Sequence, residues 1–117
     1  LWDAHSIPSR VPRLFNGELA ELNIGTNAGE SCAADIEAAV LAVAEASEYS
    51  SVANERFKGG YITRHYGGPA DGVQALQLEI AQRAYMDEKS GVFDAARAAD
   101  LRTTLDKMLR AFIDAAG

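Results

Sequence analysis

Three short stretches of this chain carry residue types that could do chemistry. Asp3-Ala4-His5-Ser6 sets a carboxylate two residues before an imidazole. Histidine is the commonest protein ligand for zinc, and a metal-bound imidazole usually has a hydrogen-bonding partner that fixes its tautomer. Taken alone, the pair also reads as a surface histidine beside an aspartate. Arg64-His65-Tyr66 offers a guanidinium able to grip a carboxylate through two parallel bonds, which lysine cannot copy geometrically. The plain alternative is an arginine in a surface ion pair. Glu79 lies between Leu78 and Ile80, and a carboxylate in so apolar a strand is costly unless it is paired, metal-bound or at the strand's open end. An edge-strand glutamate facing water accounts for the same pattern.

Two other features read as structure. Cys32 follows a serine that could cap a helix, where a thiol is activated, but no base is in view and a buried helical cysteine fits better. The glycines at 59, 60, 67, 68 and 72 match neither phosphate-loop spacing and are turn glycines.

The elements that must position these residues follow from periodicity. Residues 1–7 read as a strand end running into a loop, which is where α/β folds place their sites. Residues 8–30 hold two prolines, three glycines and three asparagines, so they read as a long ordered loop with one short strand at 22–24. With Ser31 as N-cap, residues 32–47 form an alanine-rich helix whose Ile36, Val40, Val43 and Ala44 make one apolar stripe. Residues 50–54 make a short strand. YITRHY, 61–66, is rich in β-branched and aromatic residues and reads as strand, which would send Arg64 and His65 to opposite faces. In 73–80, Leu76, Leu78 and Ile80 alternate with Gln77 and Glu79, again a strand. Asp94 caps a closing helix, 95–115, with Leu101, Leu105, Met108, Leu109, Phe112 and Ile113 as its apolar stripe. Strands alternating with helices predict an α/β layered fold with a mixed sheet.

Composition bounds the function class. With 117 residues the chain makes one compact domain. Eleven basic against seventeen acidic residues give a net charge of −6, which disfavours a nucleic-acid groove or an anionic membrane surface while leaving room for one arginine to hold an anionic small molecule. One cysteine excludes an internal disulfide and suits a reducing cytoplasm. No apolar run approaches the ~20 residues of a membrane helix. The opening Leu1-Trp2-Asp3 reads as a cut inside a longer protein.

Longer strings say more. WDAHSIPSRVPRLFNGELAELNIGTNAGESC (2–32) and NERFKGGYITRHYGGPADGVQALQLEIAQRAYMDE (54–88) resemble, in order, two consecutive blocks of the N-formylglutamate amidohydrolases. The resemblance covers about residues 1–90 and leaves the closing helix weakly characteristic. It implies the C-terminal part, residues 1–117, of a single amidohydrolase domain: a partial mixed-sheet α/β/α fold of zinc-carboxypeptidase type whose N-terminal strands are missing. It further implies hydrolysis of N-formyl-L-glutamate to formate and L-glutamate, in histidine degradation, with a divalent ion, expected to be zinc. His5 would be a metal ligand, Glu79 the general acid/base, Arg64 the partner of a substrate carboxylate and His65 a group polarising the formyl oxygen. The upstream His and Glu or Asp ligands of that family are absent here, and a catalytic zinc takes three protein ligands. The expectation is therefore an inactive piece. Two alternatives stand beside it: a non-catalytic binding or assembly module of the same fold, and a related amidase or carboxypeptidase acting on another N-acyl amino acid.

Overall fold

The computed structural model describes residues 1–117. Four strands, β1 (Trp2–Ile7), β2 (Leu22–Gly25), β3 (Ser51–Ala53) and β4 (Leu76–Ala81), form one sheet in the order β1-β4-β2-β3. β4 runs parallel to β1 and antiparallel to β2, and β3 runs parallel to β2, so the sheet is mixed as expected. Helices α1 (Ala34–Glu45) and α3 (Ala95–Ala116) pack against each other. A six-residue helix, α2 (Tyr61–Tyr66), and a hairpin of β5 (Met86–Asp87) and β6 (Val92–Phe93) complete the chain.

Alternation in β4 organises the molecule. Leu76, Leu78 and Ile80 join Leu22 and Ile24 of β2 in a core closed by Ile36, Val40 and Ala44 of α1 and by Leu101, Met108 and Phe112 of α3. Trp2 of β1 meets Phe112 edge to face, with ring centroids 5.6 Å apart. The other face of the sheet carries Asp3, His5, Asn23, Gln77 and Glu79. A strap of chain crosses this polar face: the Gly60 N–H donates to Gln77 Oε1 at 2.7 Å. At Gly25 a Cβ would come within 2.6 Å of the Lys58 carbonyl carbon, so glycine is what lets the strap lie on β2.

Four local expectations are corrected. Residues 61–66 are helical, not extended. Gly60 and Gly67 flank the helix, Thr63 alone is buried, and Tyr61 stacks on His65 one turn later at 4.9 Å. The β-branched and aromatic residues that suggested a strand stand mostly outward, because β-propensity is a preference for a pleated, half-buried surface and this segment pairs with no strand. Ser31 does not cap α1. Its Oγ donates to the Ala75 carbonyl at 2.8 Å, and Ala33, with no side-chain bond, holds the N-cap place. β4 starts at Leu76, not at 73. Ile113 leaves the apolar stripe of α3 and is 62% exposed. Asp94 does cap α3, its side chain accepting from the Arg97 N–H at 3.0 Å.

Candidate active site on the polar face of the sheet

In the parallel ladder of β1 and β4, His5 lies directly opposite Glu79. Directly opposed residues share a face, so two side chains 74 residues apart in sequence are brought together by register alone. His5 Nδ1 is 3.3 Å from Glu79 Oε2, and His5 Nε2 is 3.0 Å from Asp3 Oδ1. Asp3 reaches back along its own strand, since residues two apart point the same way. Glu79 is 7% exposed, so its carboxylate is buried but paired, which removes the objection to a charge in an apolar strand.

The His5 imidazole is tuned by these neighbours. Burial pulls its pKa down, but the hydrogen bond to Glu79 and the charges of Asp3 and Glu79 outweigh it, and the net shift is upward from 6.5. The two carboxylates stabilise the imidazolium in the folded state, so this contribution is fully present below the unfolded value of 6.5 and is lost as pH rises through the higher folded value. In the metal-free chain we expect a His5 titration midpoint above 6.5 by proton NMR, falling in Asp3→Asn, with thermal stability declining as pH passes that midpoint. A midpoint at or below 6.5 would contradict the arrangement.

The other candidate residues lie elsewhere. Arg64 is exposed on α2, where its Nη1 donates to the Gly59 carbonyl at 3.2 Å. His65 stacks on Tyr61 and meets the edge of Tyr66, with centroids at 4.9 and 4.8 Å. Neither bonds to His5 or Glu79. On a helix Arg64 and His65 are not sent to opposite faces, although adjacent helical residues still diverge by about 100°. Their helix is nonetheless tied to the site, because the residue before it, Gly60, bonds to Gln77, two positions from Glu79 on the same face. Cys32 is fully buried, and its thiol is pushed up to about 11, chiefly by burial and then by the charge of Glu37, so it stays protonated and inert at neutral pH.

As a metal site the set is incomplete. Asp3, His5 and Glu79 are donor types that zinc accepts, but both imidazole nitrogens are engaged by carboxylates, and no three His, Cys, Asp or Glu side chains gather in a metal-holding cluster. Sequence reasoning missed Asn23. It sits opposite Glu79 on β2 and its Nδ2 donates to the Glu79 carbonyl at 3.1 Å. Its position in the short strand 22–24 was the available signal. A polar residue buried beside a catalytic candidate was not evident before the register was known.

Comparison with known proteins gives a consistent result. Residues 1–86 match the family model described as N-formylglutamate amidohydrolase. The chain is 59% identical over 91 residues to an N-formylglutamate deformylase of Pseudomonas aeruginosa, covering 77% of this chain and 34% of that protein. It is 55% identical over 89 residues to the deformylase of Pseudomonas putida, covering 75% of this chain and 33% of that one. The chain thus spans about a third of the length of these curated relatives. The crystal structure of an N-formylglutamate amidohydrolase from Ralstonia eutropha JMP134 superposes with a TM-score of 0.75 at 23% identity, over 97% of this chain and 41% of that one, and shares its fold. No helix is long and apolar enough to cross a membrane.

Proposed function

Because this chain belongs to the N-formylglutamate amidohydrolase family, we propose that it forms the C-terminal part of a deformylase domain that hydrolyses N-formyl-L-glutamate to formate and L-glutamate. The observation that carries the reading is the buried Glu79 carboxylate held beside His5 on the polar face of the sheet. Glu79 accepts a proton from the water that attacks the formyl carbon. It then returns that proton to the departing amine nitrogen, which would otherwise leave as an unstable anion. His5 would be one ligand of a divalent metal, expected to be zinc, once one of its two carboxylate contacts gives way, with the remaining ligands supplied from outside these residues. Such an ion would supply Lewis-acid polarisation of the formyl oxygen. Arg64 receives one substrate carboxylate. His65, on the same exposed helix, is the further candidate for the formyl oxygen. A small anionic substrate suits an acidic protein that offers a few local cations, and the lone buried thiol suits the cytoplasm.

The test uses the homology directly. Residues 1–86 are grafted in place of the matching stretch of the Pseudomonas aeruginosa deformylase, and formate release is followed with zinc present. We expect turnover of N-formyl-L-glutamate well above that of the N-acetyl and N-succinyl analogues. We expect little or none from the 117-residue chain alone, in which His5 is the one proposed ligand where a catalytic zinc takes three protein ligands. A graft that folds and releases no formate refutes the activity; robust turnover by the isolated chain refutes the incomplete site.

A further inference from the structure

Helix α2 carries Arg64 and His65, yet little of its own holds it in place. A six-residue helix is too short to be stable by itself, and no side chain caps this one. Its one buried residue is Thr63, whose Oγ1 has no hydrogen-bond partner, so the underside of the helix is held by packing alone. At the C-terminal end Gly67 lies hard against Ser31, where an added Cβ would come within 2.5 Å of the Ser31 Cβ. The N-terminal end is held differently.

One hydrogen bond enters residues 59–67 from the rest of the molecule, and it comes from β4. Gln77 Oε1 accepts the Gly60 N–H at 2.7 Å, and because the donor is a backbone amide the carboxamide can meet it only through its oxygen. Gln77 is 4% exposed and stands on the polar face, opposite Asp3 on β1 and Gly25 on β2 and two positions before Glu79. The Gly59 carbonyl belongs to the same peptide unit as that N–H, and in a trans peptide the two point in opposite directions. On its side it accepts from Arg64 Nη1 at 3.2 Å. A single peptide unit therefore bridges the strand of Glu79 and the guanidinium of Arg64.

We infer that Gln77 is a positioning residue: by holding the Gly59–Gly60 peptide in one orientation, it fixes α2 and sets where the Arg64 guanidinium stands relative to Glu79. This role rests on the deformylase reading above, in which Arg64 receives a substrate carboxylate, and supplies what keeps that cation in place. A peptide unit between two glycines turns over easily, because neither flanking residue has a Cβ to obstruct it, and Gly59 already sits at φ +124°. Turned over, the unit would withdraw the carbonyl that Arg64 uses and set it against Gln77 Oε1, one acceptor facing another. Both bonds are therefore kept or lost together. Gln77 touches neither the substrate nor the reacting atoms in this scheme. Its influence falls on substrate binding through Arg64 and leaves proton transfer by Glu79 alone.

Three variants test it. Gln77→Met removes the acceptor at nearly constant volume, and Gln77→Glu keeps an oxygen for the Gly60 N–H. Gly60→Pro removes the N–H from the other side, at a φ of −84° that lies near proline's range. In the nitrogen-15-labelled 117-residue chain the probe is hydrogen exchange of the Arg64 N–H, which bonds to the Gly60 carbonyl at 3.1 Å. It is expected to quicken about three- to tenfold in Gln77→Met and Gly60→Pro, while the amides of β4 keep their protection. In the graft, KM for N-formyl-L-glutamate is expected to rise by about the same factor, with kcat within about twofold of the parent. Gln77→Glu should keep the slow exchange. Unchanged Arg64 exchange in Gln77→Met, an unchanged KM where exchange has quickened, or a Gln77→Glu chain that exchanges as fast as Gln77→Met would each overturn the role. If Gln77→Met also exposes the β4 amides, Gly60→Pro decides, since it leaves the sheet untouched. A KM that ignores Gln77 in a graft that releases formate sinks this role alone. A folded parent graft that releases no formate sinks the deformylase reading, while exchange still decides whether Gln77 holds α2.

Discussion

Replacing Glu79 by glutamine in the grafted deformylase is expected to lower kcat for formate release by ~10²–10⁴-fold, the usual contribution of a positioned general base, and to change KM little. The substitution is nearly isosteric. A carboxamide oxygen can still accept from His5 Nδ1, so the packing of β4 is kept and the loss reports on proton transfer. The water must lose a proton as it adds to the formyl carbon and the amine must gain one as it leaves, and an amide side chain can do neither. A second readout tells this role from a structural one. The Glu79 hydrogen bond and charge are among the causes that raise the His5 pKa, so Glu79→Gln should also lower the His5 midpoint in the isolated chain. A loss of less than about tenfold in kcat, with His5 shifted as expected, would leave Glu79 as a partner of His5 and not the base.

How much of this was legible beforehand depends on how local the determinant is. β4 could be read because a period of two separates Leu76, Leu78 and Ile80 from Gln77 and Glu79 with no outside information. α3 could be read because its cap and its apolar stripe lie within one segment. α2 could not. Its Tyr-Ile-Thr composition favours an extended chain, and what makes it helical is its place on the strap, where only Thr63 turns inward. Asp3, His5 and Glu79 were each visible as candidates, the last two given roles by the family resemblance, but their contact is set by the β1–β4 register, and no local pattern encodes a register between segments 74 residues apart. The same limit hid Asn23, whose place opposite Glu79 only the folded sheet reveals.

The strand that presents Glu79 also supplies the centre of the core, so a change confined to the apolar face should be felt in stability first. Leu78 is fully buried and lies opposite Ala4 on β1 and Ile24 on β2. Truncation to alanine leaves a void that Ala4 is too small to fill and that the pleated backbone cannot easily close. Leu78→Ala is therefore expected to cost about 2–5 kcal/mol in urea unfolding, with the m-value unchanged. A domain of this size has about 5–15 kcal/mol in all, so that loss is a large fraction of the total. Leu78→Met, which conserves volume, should cost under about 1.5 kcal/mol. The isolated chain has little margin to absorb the larger change, because the outer edge of β1 pairs with no strand and Val92, Phe93 and Ile113 stand exposed. A measured cost below about 1 kcal/mol for Leu78→Ala would mean that the core does not close around β4. The sheet could not then hold Glu79 against His5, because the alternation that buries one residue is what presents the other.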